Sequence, residues 1–309
     1  MKIGFFGTPE PASECLKLLK KEYDVKFVVT QADKPSGRNL KLTACPVKQT
    51  ALESNIDVLQ PEQLNDSEFL QKLKKYETDI YVVIAYGKII PRNIYELPRL
   101  KTINLHPSLL PAYRGAAPIQ WAIINGEQKT GITVQLINER MDAGDIIIQE
   151  EILLNNTIDS GELYQKVIPI GVDLLKKAIA LLSEGQAKPV VQDENKATYC
   201  SKISKDTSKI NWNDDAEKIH NLARGLNPLP GTWTTINDKL IKIKKTLPVC
   251  IENLSLSAGQ ISFYDKKRLI IGTGKGLLEI LYIQPETKKV MDALSFINGH
   301  RAYKNMRFN

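Results

Sequence analysis

The run Ile80-Tyr81-Val82-Val83-Ile84-Ala85 decides the fold class of this chain. A short apolar strand without polar alternation is typical of a parallel sheet that is covered on both faces. Comparable runs occupy Lys2–Phe6, Val25–Thr30 and Thr102–Leu105. Between these runs, apolar residues recur at helical spacing, which predicts βαβ units with right-handed crossovers. The first half of the chain is therefore expected to be an α/β domain with a mainly parallel sheet.

Four loops are expected to meet at the carboxyl edge of this sheet, where open α/β folds bind their ligands. They are Gly7-Thr8-Pro9, the loop from Gln31 to about Thr43, Tyr86-Gly87-Lys88 and Asn104–Pro111. The topology thus predicts one site assembled from several loops. Dinucleotide binding is not expected there, because Gly7-Thr8-Pro9 lacks the GxGxxG spacing and proline has no amide donor.

Asn104 and His106 lie two residues apart at the end of the strand that begins at Thr102. Side chains at i and i+2 share one face of a strand, so the amide and the imidazole can converge on one substrate atom. The chain has only three histidines, at positions 106, 220 and 300. From the residues alone, two interpretations of His106 stay open: a proton carrier, or a histidine that serves only the structure.

Asp142 lies in a turn between two strand candidates, Gly131–Asn138 and Asp145–Glu151. If these strands lie near His106, the carboxylate can stabilise the protonated ring and fix its orientation. An amide, an imidazole and a carboxylate suit acyl transfer to an amine, since an oxyanion forms on attack and the amine must lose a proton. The cysteines lie outside these motifs, which favours direct attack by the amine over a covalent acyl-enzyme. The alternative is that Asp142 is only a turn residue.

Charge is distributed unevenly along the 309 residues. The first 204 hold 25 Lys+Arg and 25 Asp+Glu, whereas residues 205–309 hold 17 and 10, so the net charge of +7 lies in the last third. Such segregation indicates a neutral catalytic part and a part attracted to a polyanion. A basic surface that only keeps the protein soluble would give the same count.

The last third also differs in its secondary-structure pattern. A helix is predicted at Asp215–Arg224, and short strands follow it with Gly- or Asp-containing turns, which predicts a small β-barrel or sandwich. The strand candidates are Thr232–Ile236, Leu240–Thr246, Gly259–Phe263, Leu269–Gly272 and Leu277–Ile283. We therefore expect a catalytic domain at 1–184, a surface linker at 185–204 and a basic domain at 205–309.

Several classes of protein are disfavoured by the sequence. No apolar run approaches the roughly 18 residues of a membrane span, and the first residues do not form a secretory signal. The four cysteines are dispersed and form no CxxC pair, so neither a disulfide framework nor a zinc site is expected. We expect a cytoplasmic protein that carries no metal.

The chain resembles the methionyl-tRNA formyltransferase family from Lys2 nearly to its C-terminus. The matching stretches are Gly7-Thr8-Pro9, Thr30–Arg38, Val83–Gly87, Asn104–Pro111, Arg114–Gln120, Met141–Asp145 and Asn227–Trp233. The Asn-x-His-x-Ser-Leu-Leu-Pro core is shared with other formyltetrahydrofolate enzymes, and the Thr30–Arg38 and Asn227–Trp233 stretches narrow the resemblance to the tRNA enzyme. Pro11 departs from the family, which usually has an aromatic residue there.

The resemblance implies formyl transfer from 10-formyltetrahydrofolate to the α-amino group of methionine carried by initiator tRNA. No required protein partner is evident from the sequence. It implies a Rossmann-like N-terminal domain and a C-terminal OB-like β-barrel, a fold that elsewhere binds oligonucleotides. The implied catalytic residues are Asn104, His106 and Asp142. The implied folate-binding residues are Ser108, Leu109, Leu110 and Pro111, and the implied tRNA-binding residues are Lys34, Arg38 and Lys41.

Three other functions stay open. A related formyltransferase could act on a small amine such as glycinamide ribonucleotide or an amino sugar, and a hydrolase could release formate from the folate. Neither would use the basic last third or the loop that carries Arg38. An RNA-binding protein with a relic catalytic domain would instead have no use for Asn104, His106 and Asp142.

Overall fold

The computed structural model of the chain describes residues 1–36 and 41–309. Its strands, in chain order, are β1 Lys2–Gly7, β2 Asp24–Val29, β3 Lys34–Ser36, β4 Lys41–Thr43, β5 Asp57–Leu59, β6 Ile80–Ile84, β7 Thr102–His106, β8 Arg114–Gly115, β9 Lys129–Leu136, β10 Ile146–Leu153, β11 Tyr199–Cys200, β12 Thr232–Ile236, β13 Lys239–Val249, β14 Ile261–Tyr264, β15 Arg268–Gly272, β16 Leu277–Pro285 and β17 Met291–Asp292. Its α-helices are α1 Glu10–Leu19, α2 Pro46–Glu53, α3 Ser67–Lys75, α4 Arg92–Tyr95, α5 Pro118–Ile124, α6 Ser160–Ser183, α7 Ala216–Gly225 and α8 Ala293–Gly299.

Tertiary contacts divide the chain into two compact units. Unit 1 comprises Met1–Gly115, Thr130–Ile152 and Tyr164–Tyr199. Unit 2 comprises Ala116–Lys129, Leu153–Leu163 and Cys200–Asn309. Both units are discontinuous in sequence, so these contacts do not test the expected domain boundaries, which stay predictions. Among the described residues, no helix is both long and apolar enough to cross a bilayer.

Unit 1 is built on a seven-stranded sheet in the order β10-β9-β7-β6-β1-β2-β5. The pairs β5–β2, β2–β1, β1–β6 and β6–β7 are parallel, which confirms the mainly parallel α/β prediction. The pair β7–β9 is antiparallel. All five residues of β6 are buried, as expected for a strand that is covered on both faces.

The largest aromatic side chains of unit 1 pack on one another against the parallel strands. Phe6, Phe27 and Tyr81 belong to one buried cluster, and helix α3 contributes Phe69 and Leu73 to it. The predicted elements leave out residues 55–79, where the structure has β5 and α3. Both elements are short, at three and nine residues, and α3 packs on the sheet through the burial of Phe69 and Leu73 in this cluster.

Helix α6 lies close to β7 at Gly171. A Cβ atom built on Gly171 would lie 2.8 Å from a methyl carbon of Leu105, so a larger residue would push the helix away from the strand. Leu105 lies between Asn104 and His106, and alternate side chains of a strand point to opposite faces. The face of β7 that carries Asn104 and His106 is therefore the face opposite α6.

Unit 2 contains an antiparallel sheet with the strand order β12-β13-β16-β15-β14, and β17 pairs with β16. This confirms the antiparallel C-terminal fold. Alternating residues of these strands form the core with α7 and α8, as the buried residues Ile219, Ile243, Ile280 and Phe296 show.

The last residues of the chain connect the two outer strands of this sheet. The amide of Ile261 in β14 donates to the Met306 carbonyl over 2.8 Å, and the amide of Asn309 donates to the Thr235 carbonyl in β12 over 2.9 Å. Phe308 is buried between them and stacks on Trp212, with ring centroids 5.6 Å apart. The C-terminal segment thus covers strand edges that would otherwise be unpaired.

Candidate active site

The loops that follow β1, β2 and β6 are joined by hydrogen bonds at the carboxyl edge of the sheet. The Thr8 hydroxyl donates to the Tyr86 carbonyl over 3.2 Å, and the Gln31 side-chain amide donates to the same carbonyl over 2.8 Å. Since parallel strands end at the same edge, their loops can share one acceptor. Three of the four loops that the sequence analysis placed at this edge thus lie together.

Strand β7 positions Asn104 and His106. In the antiparallel ladder with β9, Asn104 lies opposite Gln135, and His106 lies opposite Thr133. Directly opposed residues of an antiparallel pair project to the same face. These four polar side chains therefore form a short patch on one face of unit 1.

The side-chain amide of Asn104 is available to a ligand. Asn104 is half-buried, and its amide has no hydrogen-bond partner within the part of the chain that the structure describes. An amide carries two N–H donors and one carbonyl acceptor. Asn104 can therefore donate to a substrate oxygen without first breaking a protein contact.

His106 is held between two oxygen acceptors. Its Nε2 lies 2.9 Å from the Tyr113 carbonyl, and its Nδ1 lies 3.6 Å from Oδ1 of Asp142. The His106 side chain is 5% exposed and the Asp142 side chain 16%. A neutral ring donates from one nitrogen only, whereas the imidazolium donates from both. Both ring nitrogens of His106 thus face oxygen atoms that can accept a hydrogen bond.

Asp142 is oriented by backbone and side-chain donors. The Gly115 amide donates to Oδ2 over 2.9 Å, and the Gln135 side-chain amide donates to Oδ1 over 3.3 Å. The residue has a φ of 52°, in the left-handed region that non-glycine residues seldom adopt. Gly144 permits this turn, because a Cβ there would lie 1.7 Å from the Leu136 carbonyl oxygen. The sequence prediction that Asp142 approaches His106 is thus matched by the geometry.

The segment implied to bind folate is largely built into unit 1. Ser108 is fully buried, and its hydroxyl donates to the Ala112 carbonyl over 2.7 Å. The Leu110 amide donates to the Thr133 hydroxyl over 3.1 Å, and the Leu110 carbonyl accepts from Gln149 over 2.8 Å. Leu109 and Pro111 are half-buried. The side chain of Ser108 therefore shapes the segment, and folate contact by its residues stays a prediction.

The structure describes only some of the residues that are implied to bind tRNA. Lys34 is exposed on β3, where its ammonium group donates to Oε1 of Gln31 over 3.1 Å. Arg38 lies outside the described residues, and Lys41 is described only by its backbone in β4. Nearby, Lys48 lies 2.7 Å from Asp33, and its hydrogen bond holds the pKa of that carboxyl below the usual value.

The basic part of unit 2 has an aromatic residue among its cations. Lys205 and Lys209 each place the ammonium group within 5.7 Å of the Trp233 ring centroid, at distances of 5.7 and 5.6 Å. On β13, Lys244 donates to the Pro228 carbonyl over 3.0 Å. Burial, with a smaller contribution from the Lys242 charge, lowers the pKa of Lys244.

Sequence reasoning missed several residues that surround Asp142. Gln135, Tyr113 and Gly115 contact the His106–Asp142 pair, and Gln192 contacts the Asp142 turn. Gly115 lies in the Arg114–Gln120 stretch, which is a local signal, whereas no local pattern marks Gln192. Within residues 1–36 and 41–309, no group of three or more His, Cys, Asp or Glu side chains is arranged to hold a metal ion.

Comparison with known proteins places both parts of the chain in one family. Residues 1–179 match the family described as Formyl transferase, and residues 202–301 match Formyl transferase, C-terminal domain. The methionyl-tRNA formyltransferase of Thermodesulfovibrio yellowstonii is 44% identical over 306 residues, which are 98% of this chain and 97% of that protein. The methionyl-tRNA formyltransferase of Clostridioides difficile is 43% identical over 301 residues, 97% of each chain.

Solved structures show the same fold at lower sequence identity. HypX from Aquifex aeolicus, in complex with tetrahydrofolic acid, superimposes with a TM-score of 0.66 at 18% identity. The match covers 96% of this chain and 47% of HypX, so the chain spans about half the length of that protein.

Proposed function

This chain belongs to the methionyl-tRNA formyltransferase family, and from that premise we propose how its residues carry out the reaction. The reaction transfers a formyl group from 10-formyltetrahydrofolate to the α-amino group of methionine on initiator tRNA. We assign the catalytic roles to Asn104, His106 and Asp142. Because initiator tRNA is used in translation, the proposed compartment is the cytoplasm.

The observation that carries this proposal is how the hydrogen-bonding groups of Asn104 and His106 are partnered on one face of β7. Asn104 has a free amide among the described residues, and both ring nitrogens of His106 face oxygen acceptors. During attack by the amine, negative charge develops on the formyl oxygen. The Asn104 amide and the His106 imidazolium are donors of the kind that stabilise such a charge in a site with little water.

The proton balance of the reaction matches the His106–Asp142 pair. The amine loses one proton as its bond to the formyl carbon forms, and N10 of the folate gains one proton as its bond to that carbon breaks. No net proton is consumed. In our proposal the neutral His106 ring takes the proton of the amine during attack, directly or through water, and becomes the imidazolium that stabilises the oxyanion with Asn104. The imidazolium, itself stabilised by the Asp142 carboxylate, then gives this proton to N10 as the bond from N10 to the formyl carbon breaks.

The distribution of charge supports a polyanionic acceptor. Residues 205–309 carry all of the net positive charge, and Lys205 and Lys209 flank the ring of Trp233. Trp233 is half-buried, and cations beside an aromatic ring that is partly accessible suit a nucleic-acid backbone with adjacent bases. An acceptor that is a small amine would leave these groups without a role.

A formylation assay tests this function. The protein is given 10-formyltetrahydrofolate with methionyl initiator tRNA, glycinamide ribonucleotide or an amino sugar nucleotide, and the formylated product of each is measured. We expect the tRNA to have the highest kcat/KM, and its KM to rise with salt because bound counterions are released on binding. A small amine used with equal or higher efficiency would refute the tRNA assignment.

The loop that carries Arg38 is tested by charge removal. Arg38→Ala is expected to raise the KM for methionyl initiator tRNA about tenfold while the KM for folate stays near the wild-type value, since a lost phosphate contact weakens only polyanion binding. Lys177→Ala, which removes an exposed charge from α6, is the matched control. If both variants keep the wild-type KM for tRNA at low salt, Arg38 is a solvated loop residue.

A further inference from the structure

Gln192 is a buried side chain in the stretch that the sequence analysis assigned to a surface linker. It is 5% exposed and belongs to unit 1. Its Oε1 accepts two hydrogen bonds from the guanidinium of Arg114, from Nε over 3.0 Å and from Nη2 over 2.8 Å. A guanidinium only donates, so the oxygen of the Gln192 amide must face Arg114 and its NH₂ group must face away.

The NH₂ group of Gln192 points at the turn that carries Asp142. It lies 2.7 Å from the Gly144 carbonyl oxygen and 3.0 Å from the Asp142 carbonyl oxygen. A third oxygen, Oε1 of Gln135, lies 3.1 Å away. One amide thus binds two carbonyl groups of the turn at whose start Asp142 has a φ of 52°.

Gln135 continues the same chain of hydrogen bonds to the carboxylate. Its oxygen accepts from Gln192, so its own NH₂ group is directed to Oδ1 of Asp142, over 3.3 Å. That Oδ1 is the atom that lies 3.6 Å from Nδ1 of His106. All donors therefore point in one direction, from Arg114 through Gln192 and Gln135 to Asp142, and bonds aligned in this way reinforce one another.

Arg114 gives this chain a fixed starting point. Its side chain is fully buried, and its remaining N–H groups donate to Glu194 over 3.0 Å and to the Tyr199 hydroxyl over 3.2 Å. The hydrogen bond from Arg114 also holds the pKa of Glu194 below its usual value, so this carboxylate stays charged near neutral pH. The guanidinium therefore has little freedom to move away from Gln192.

We propose that Gln192 is a positioning residue for the formyl transfer: it fixes the Asp142 turn and, through Gln135, aims the carboxylate at His106. Gln192 need not touch either substrate. Its effect passes through Asp142, so it acts on the rate of the chemical step and not on the binding of substrates. This inference rests on the proposed function, because it needs Asp142 to act in the reaction.

The substitution Gln192→Glu tests the NH₂ donor of this amide separately from its carbonyl oxygen. The new carboxylate can still accept from Arg114, whereas its second oxygen faces the oxygens of Gly144, Asp142 and Gln135 and donates nothing. We expect kcat for formylation of methionyl initiator tRNA to fall by about tenfold to a hundredfold, the usual effect of a small misplacement of reacting groups. The KM values for tRNA and folate should change by less than about threefold.

Thr102→Val is the matched control for lost stability. The Thr102 hydroxyl is buried at the other end of β7 and donates to the Tyr95 carbonyl over 2.7 Å. We expect this variant to have a lower Tm and a kcat within about twofold of wild type. A loss of folding stability alone does not change the interactions that stabilise the transition state of formyl transfer. If Gln192→Glu does not fold, Gln192→Met takes its place, because it retains the shape of glutamine and has no donor.

A double-mutant cycle decides whether Gln192 acts through Asp142. In the Asp142→Ala background, the substitution at Gln192 should lower kcat no further, because the carboxylate that it orients is gone. The inference would be overturned if the fold-losses in kcat of the two single variants multiply in the double variant. A folded Gln192 variant with wild-type kcat would overturn it as well. Absence of formylation by the wild-type protein would refute the proposed function instead, so the two failures are distinguishable.

Discussion

His106 in unit 1 and His220 in unit 2 are both buried histidines, and they differ in what faces the ring. His220 Nε2 lies 2.9 Å from the Asn156 carbonyl and Nδ1 lies 2.8 Å from the Thr246 hydroxyl. A hydroxyl can donate, so the neutral ring of His220 satisfies both contacts. His106 instead has an acceptor at each nitrogen, and one of them is a carboxylate.

The contrast shows that burial alone does not identify a catalytic histidine. Burial lowers the pKa of His220, and the nearby charge of Arg224 lowers it further, so this ring stays neutral near pH 7 and acts as a structural link. His106 is equally buried but has a carboxylate partner and a free amide two residues away. The chemistry of the neighbouring atoms, and not the degree of burial, separates the two roles.

The largest expected effect is at His106. His106→Asn should reduce kcat for formylation by about a thousandfold, because general acid–base catalysis commonly contributes between ~10² and ~10⁴. Circular dichroism and thermal unfolding should show that the variant still folds. A folded variant with near-normal kcat would remove His106 from the mechanism and leave both histidines structural.

The next largest expected effect is a loss of folding stability on substitution of His220. In His220→Gln the amide can replace both hydrogen bonds but cannot titrate. At pH 8 we expect a loss in the free energy of unfolding of about 1–2 kcal/mol from imperfect replacement of buried contacts, with kcat within about twofold of wild type. The measurement is urea unfolding followed by tryptophan fluorescence, since Trp121, Trp212 and Trp233 all lie in unit 2.

The pH dependence of the free energy of unfolding distinguishes the wild-type protein from the His220→Gln variant. In the wild type, the unfolded chain takes up a proton at His220 near pH 6.5, whereas the folded ring does so only at lower pH. The contribution of His220 to stability is therefore complete above pH 6.5 and is lost as the pH falls through its lowered folded pKa. This acid-side loss should be smaller in His220→Gln. Equal pH profiles would show that His220 does not control it.

The smallest effect is expected for Thr246→Val. This change removes the donor to Nδ1 of His220 and keeps the titrating ring, at a cost of about 1 kcal/mol in the free energy of unfolding. The acid-side loss of stability should persist, in contrast to His220→Gln. If the loss disappears in Thr246→Val as well, the titrating group is not the imidazole of His220.

Much of the fold could be predicted from local sequence patterns. The apolar run at β6 and its neighbours indicated the parallel sheet, and short strands with turn residues indicated the antiparallel sheet of the last third. The segment with β5 and α3 was missed, although α3 does carry a local signal. Asp66 caps the helix, Glu68 lies in its first turn, and the buried residues Phe69 and Leu73 are four residues apart. The three-residue strand β5 is recognisable only from its pairing with β2.

The candidate site was predictable to the extent that its residues share a local pattern. The i and i+2 spacing placed Asn104 and His106 on one face, and the turn chemistry together with the family resemblance pointed to Asp142. The Tyr113 carbonyl and the Gly115 amide were missed because backbone groups leave no mark in residue type. The burial of Ser108 also could not be read from the motif, since its acceptor is a backbone carbonyl.

Periodicity and residue type by themselves determined the class of each sheet and the chemistry available on β7, because both depend on neighbours along the chain. Only the tertiary structure decided which histidine meets a carboxylate and which meets a hydroxyl. It also brought Gln192 to the Asp142 turn, 50 residues away in sequence. Such contacts depend on how distant segments pack, and a buried polar group is tolerated only where that packing supplies its hydrogen-bond partners.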